Sequence, residues 1–129
     1  MPCSHCASTV VAFAVPPALR EHAPGTNAAI CTRCLRTSSA ADAGVAVTGS
    51  AGPDLSAVDP AFPDGEAGIA LALLCGSLES VALNRSSISA LVEHAERSGA
   101  DVFAFLDRLD ATEAVFDLDR RRATLLDVL

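Results

Sequence analysis

A chain of 129 residues, half of them hydrophobic, holds one domain, or a small module attached to one modest core. All nine basic residues are Arg and ten of the sixteen acids are Asp, an Ala-rich, Lys-free, acidic balance. It suits a protein kept soluble in concentrated salt, where charge repulsion is screened within about 3 Å at molar ionic strength. No signal peptide is expected, since Met1-Pro2-Cys3 opens without a basic or apolar leader. The longest apolar stretch, Gly68 to Leu78, falls well short of the ~20 residues of a membrane span. A cytoplasmic protein from a haloarchaeal host is expected, the alternative host being a mesophile with a GC-rich genome.

The chain opens on Cys3-Ser4-His5-Cys6 and repeats the step at Cys31-Thr32-Arg33-Cys34. Two residues between cysteines let a tight turn aim both thiolates at one ion at about 2.3 Å, and four thiolates leave no vacant position for water or substrate. In a reducing compartment, paired CxxC steps favour metal over disulfides. Cys3, Cys6, Cys31 and Cys34 are therefore read as the ligands of one structural Zn²⁺. A rubredoxin-type iron centre, two redox-active pairs and no metal at all are the alternatives, since an all-cysteine set suits either metal. Between the steps, Thr9 to Val15 reads as a β-strand ended by Pro16-Pro17, Ala18 to His22 as one helical turn, and Ala28-Ala29-Ile30 as a short returning strand. Residues 1–37 thus form a zinc ribbon with little core of its own, which metal binding must help to fold.

Residues 38–64 turn to Ser, Ala, Gly, Asp and Pro and read as a linker. Leu55, Val58 and Phe62 are spaced to dock one short turn on a neighbouring surface, and Val45-Ala46-Val47 is a candidate short strand. From Asp64, read as an N-cap with Glu66 in the first turn, residues 65–129 become helical. A first helix is apolar on most sides from Ile69 to Leu83, as a central buried helix is. A second runs from Ser86 or Ser87 to Ser98 with Ile88, Leu91, Val92 and Ala95 on one face, and Gly99 stands where a left-handed C-terminal residue is wanted. Asp101 caps a third helix, and a fourth runs from Thr112 or Asp117 to Val128. The fold expected is α+β: a small zinc ribbon of short strands, a linker, and a bundle of about four short helices.

The double CxxC, the words Phe13-Ala14-Val15-Pro16, Cys31-Thr32-Arg33-Cys34-Leu35, Leu83-Asn84-Arg85, Gly99-Ala100-Asp101-Val102 and Asp107-Arg108-Leu109, and their order resemble a haloarchaeal family of small proteins of unknown function. The resemblance covers nearly the whole chain. It implies a zinc ribbon and no activity, substrate or catalytic residue. Zinc ribbons at large favour Pro after the first Cys of a step and Gly after the second. Here those places hold Ser4, Ala7, Thr32 and Leu35, and the 24 residues between the two steps are more than usual.

Other candidates have plainer readings. His5 lies inside the first step, where the simpler reading is a solvent-facing or supporting residue and the alternative a ligand in place of Cys6; His22 lies in the excursion, and His94 is a solvated helix residue beside Glu93 and Glu96. Cys75, within the apolar helix, is a small buried hydrophobe, and Gly76 beside it permits close approach of another helix. No Gly-x-Ser-x-Gly elbow, phosphate loop or HExxH step is present, and no nucleophile–base pair can be proposed, so a non-enzymatic protein with no small-molecule substrate is expected. The first 40 residues carry Arg20, Arg33 and Arg36 against Glu21, a weak nucleic-acid signal. Four thiolates on one Zn²⁺ add −2 and cancel that +2, and the chain has no Tyr or Trp for base stacking. Arg120-Arg121-Arg122 reads as helix-surface charge among Asp117, Asp119 and Asp127. A protein-interaction or regulatory module is the leading expectation, a transcription-associated nucleic-acid binder the second, and a thiol redox protein the third.

Overall fold

The computed structural model describes residues 3, 6–44, 55–110, 112 and 114–128. Three antiparallel strands, β1 (Val10–Ala14), β2 (Asn27–Cys31) and β3 (Thr37–Ser39), lie in the order β1-β2-β3. Val10 faces Cys31 and Ala14 faces Asn27 across the first ladder, and Ile30 faces Thr37 across the second. The period of two sorts the side chains between faces. Phe13, Ala28 and Ile30 enter the main core, whereas Val10 and Cys31 pack in a separate small cluster. A 3-10 turn over Pro17–His22 follows β1 after the two prolines and buries Leu19.

Short helix α1 (Ala40–Ala43) follows β3 directly, its start capped by the Ser39 hydroxyl accepting from the Asp42 N–H. The remaining helices are α2 (Gly65–Ser77), α3 (Arg85–Arg97), α4 (Val102–Arg108) and α5 (Leu118–Val128). This is the α+β architecture expected. Helix α2 is buried along almost its whole length and its apolar residues share one core with those of the sheet and of α3: Phe13 and Ile30 join Leu71, Leu74 and Ile88. In α3, the expected face of Ile88, Leu91, Val92 and Ala95 is the buried one. Gly99 follows it at φ 98°, as its place predicted, and the Asp101 carboxylate accepts from the Ala104 N–H at the start of α4. Among the described residues no helix is long and apolar enough to cross a membrane.

Several local readings are corrected. Thr37–Ser39, at the start of the stretch read as connecting chain, is a β-strand. Thr-Ser-Ser offers no apolar alternation, and the strand exists because β2 supplies its ladder and α2 its cover: the Thr37 hydroxyl donates to the Ala72 carbonyl at 3.3 Å. Gly76 does permit a close approach, but by this strand, not by a helix. The first helix ends at Ser77, and Leu78–Ser80 continue as one 3-10 turn. Asp64 occupies the N-cap place of α2 without a side-chain cap bond, while Glu66 reaches across to His94 of α3, Nε2 to Oε2 at 2.9 Å. His94 is thus an inter-helix contact and not simply a solvated residue. The Arg cluster is also more than surface charge, because Arg122 pairs with Asp107 at 2.7 Å and Arg121 donates to the Glu79 carbonyl at 3.3 Å.

The turn Leu55–Phe62 docks as its spacing suggested. Leu55 and Phe62 are buried and the Phe62 ring meets Phe105 edge-on, with centroids 4.8 Å apart. Between them Asp59, also buried, accepts from the Ala61 N–H at 2.8 Å and from the Asp110 N–H at 3.0 Å, clipping this turn to the end of α4. The candidate strand Val45-Ala46-Val47 lies outside the described residues.

Two glycines of α2 set how closely it is packed. A Cβ at Gly68 would stand 2.1 Å from the Pro63 carbonyl oxygen, and one at Gly76 would stand 2.6 Å from the Thr37 Cβ. Gly76→Ala is expected to destabilise the fold by about 1–3 kcal/mol through overpacking. Gly68→Ala should cost more, because main chain must move. Denaturant midpoints of the two variants check the order; equal or wild-type midpoints would contradict it.

Candidate metal centre

The register of β1 on β2 brings the two CxxC steps together. Because Val10 faces Cys31, the chain entering β1 and the chain leaving β2 emerge at the same end of the ladder. The first turn closes by Ala7 N–H to the Cys3 carbonyl at 2.8 Å and Cys3 N–H to the Ser8 carbonyl at 2.7 Å. The second closes by Cys31 N–H to the Arg36 carbonyl at 3.0 Å. Thr32 ties the turns together, its N–H and its hydroxyl both donating to the Thr9 carbonyl.

The four sulfurs lie within 4.8 Å of one another. Cys3 Sγ is 3.7 Å from Cys34 Sγ, and Cys6 Sγ is 3.4 Å from Cys31 Sγ, so these contacts cross between the two steps. A tetrahedron with metal–sulfur bonds of about 2.3 Å has edges of about 3.8 Å. The four cysteines can therefore hold one metal ion.

Each turn forces the residue after its second cysteine into the left-handed region: Ala7 has φ 62° and Leu35 has φ 63°. These are the places where a ribbon favours glycine. A Cβ there costs roughly 1–2 kcal/mol. At Leu35, 1% exposed, burial of the side chain offsets that cost; Ala7 is exposed and has no such return.

Burial and hydrogen bonds divide the thiols. Cys31, Cys34 and Cys3 are buried, and Cys6 is partly exposed. The Ser8 backbone N–H and hydroxyl hold the Cys6 thiol down to about 6. Burial pushes Cys31 up, against the N–H groups of Cys34 and Arg33 that both donate to its sulfur at 3.4 Å. Burial pushes Cys34 up as well, against the Arg36 N–H. Amide donors thus point at the sulfurs from within each turn, where they stabilise negative charge that burial disfavours.

The other sequence candidates do not converge on this centre. Arg33 and Arg36 flank it, but Arg20 lies beyond the far end of β1, where its Nε donates to the Val15 carbonyl at 3.2 Å. Five strand residues, roughly 17 Å, separate the two ends. His22 lies at that far end, its Nδ1 3.0 Å from Ser87 Oγ and its Nε2 3.3 Å from Glu21. His5 is outside the described residues. Cys75 is fully buried, its thiol pushed up to about 12 by burial and then by the negative charge of Asp59, consistent with a core role.

One participant was not foreseen. The Val115 N–H donates to the Cys34 carbonyl at 2.9 Å, and its side chain packs on the cysteine cluster. Eighty residues of chain separate it from the nearest ligand, and no local pattern marks it.

The chain belongs to a family of unknown function, DUF6276, whose model matches residues 2–129. No curated protein and no solved structure matches it.

Ala7→Gly is expected to raise stability by up to about 1 kcal/mol by removing left-handed strain. Leu35→Gly should lower it by about 1–3 kcal/mol through lost burial. Thermal melts of both metal-loaded variants test this; the same sign for both would argue against it. Metal binding must also displace the protons of Cys31 and Cys34, whose raised values keep them protonated through neutral pH. Apparent affinity should accordingly climb with pH, by about tenfold per unit for each proton displaced. A chelator competition between pH 6 and 8 reads that slope, and a flat profile would refute it.

Proposed function

We propose that this chain is a non-enzymatic zinc-binding protein, in which Cys3, Cys6, Cys31 and Cys34 hold one structural Zn²⁺ and the helical part serves as a protein-interaction or regulatory module in the cytoplasm of a halophilic archaeon. The observation that supports this most is the closed set of donors. Four sulfurs lie within 4.8 Å, three of their residues are buried, and the set fills a tetrahedron without an open position for substrate. An all-thiolate set with amide donors at the sulfurs suits Zn²⁺, and the same donors suit iron. The cross-step sulfur contacts favour one shared ion over two separate redox pairs. The separation of Arg20 from Arg33 and Arg36 weighs against a nucleic-acid face, since the three do not share one end of the sheet.

The interaction reading draws on two exposed large side chains, Leu83 at 85% and Leu126 at 63% exposure. Such residues are ordinary singly and serve as anchors when covered by a partner.

Elemental analysis of the purified protein in high salt, with thiols titrated before and after a chelator, tests the metal. One zinc per chain is expected, with four thiols appearing on its removal and Cys75 only after denaturation. Iron, or disulfides without metal, would overturn the zinc reading. Leu83→Ser and Leu126→Ser should leave the metal content unchanged and reduce binding to any partner co-purified in molar KCl; a reproducible absence of partners would count against the module.

A further inference from the structure

Val115 stands between two parts of the molecule. Among the described residues it alone is a partly buried hydrophobic packed against both the cysteine cluster and the main core. Its N–H donates to the carbonyl of Cys34, a residue of the second CxxC turn. Phe116, next in sequence, is buried in the main core, and α5 begins two residues later. The segment that leads into the last helix is therefore seated on the backbone of the metal-binding turn.

From this we infer that metal occupancy and docking of α5 are coupled through Val115, so that the C-terminal helix is a metal-controlled element. The inference rests on the metal reading above. Helix α5 has eleven residues, and isolated helices of that length are marginal in water. It needs its seat. Leu125 is its one fully buried side chain among those described, and its polar anchors are exposed and of small weight: Arg122 pairs with Asp107, the two 40% and 54% exposed, and Arg121 donates to the Glu79 carbonyl.

The seat in turn needs the metal. The Cys31–Cys34 turn carries buried sulfurs and ends on Leu35 in the left-handed conformation. With a cation the four thiolates fix that geometry. Without it the sulfurs of the two turns are no longer tied to one another, the turn keeps the burial of Leu35 and the Thr32–Thr9 bonds, and the Cys34 carbonyl is held less firmly for Val115. The core shared by α2 and α3, with residues such as Leu71, Leu74, Ile88 and Leu91, includes none of the four cysteines. Loss of metal should thus release residues 114–128 while the central pair of helices stays. Coupling of this kind is reciprocal, so loosening the segment must weaken the metal by the same factor.

Hydrogen exchange of the full-length chain, loaded with Zn²⁺ and then stripped by a chelator, tests the coupling. Amides from Val115 through α5 should exchange at least about tenfold faster in the stripped protein, while those of Ile88–Ala95 hold their protection. Cleavage by an Arg-specific protease at Arg120, Arg121 and Arg122 should accelerate in parallel. In the reciprocal arm, Val115→Pro removes the donor and Phe116→Ala loosens the segment at a residue outside the cysteine cluster. Each should weaken Zn²⁺ against a competing chelator by roughly three- to tenfold, the size of one ordinary hydrogen bond or less.

Unchanged protection of residues 114–128 in a protein that binds Zn²⁺ would overturn the coupling and leave the metal site standing. So would wild-type affinity in both variants, or equal loss of protection in α3, which would mean that the metal folds the chain as a whole. Failure of the wild-type protein to bind any metal defeats the metal reading itself, and the stoichiometry separates that outcome from the others.

Discussion

The antiparallel pairing of β1 with β2 is the constraint on which the rest depends. Its register puts Val10 opposite Cys31, which places both cysteine turns at one end of the ladder. Its alternation sends Phe13 and Ile30 into the core shared with α2 and leaves Cys31 in the small cluster around the sulfurs. A slip of one residue would exchange the faces, expose Ile30 and turn Cys31 into the helical core. One ladder thereby fixes two environments, a dry core and a cluster of four thiols that can hold an ion.

The cysteine turns show how convergence of four thiols imposes backbone geometry on a sequence that does not ease it. Ala7 and Leu35 accept the left-handed conformation that glycine would take without strain. Leu35 is retained at a physical gain, since its side chain is wholly within the main core. It therefore ties the second turn to the same apolar mass that holds α2. Amides of Arg33, Cys34 and Arg36 point at sulfur within the turn, so the site is prepared for negative charge before a cation arrives.

Legibility of the sequence follows how local each signal is. The CxxC steps, the faces of α3, the Asp101 cap and the Gly99 ending rest on spacings of two to four residues, and the fold respects them. The apolar character of α2 announced a central helix, and it is one. Thr37–Ser39 was illegible because a polar edge strand has no pattern of its own. Its partners are the ladder of β2 and the opening at Gly76, 39 positions beyond Thr37. Asp59 was illegible for the same reason: its second hydrogen-bond partner, the Asp110 N–H, is 51 residues away. The Arg120–Arg122 cluster looked like solvated charge because Asp117, Asp119 and Asp127 lie near it in sequence, whereas Asp107 and the Glu79 carbonyl are its neighbours in space.

By itself the sequence determined which four cysteines stand in paired steps, the α+β class and the order of helices, since CxxC spacing and helix periodicity are written in residues a turn apart. Tertiary structure decided that the sheet and helices share one core, that Arg20 stands apart from Arg33 and Arg36, and that Val115 is seated on Cys34. Those are contacts between positions tens of residues apart, created when burial of apolar surface folds the chain back on itself. Their energy belongs to the assembled packing and to no local pattern.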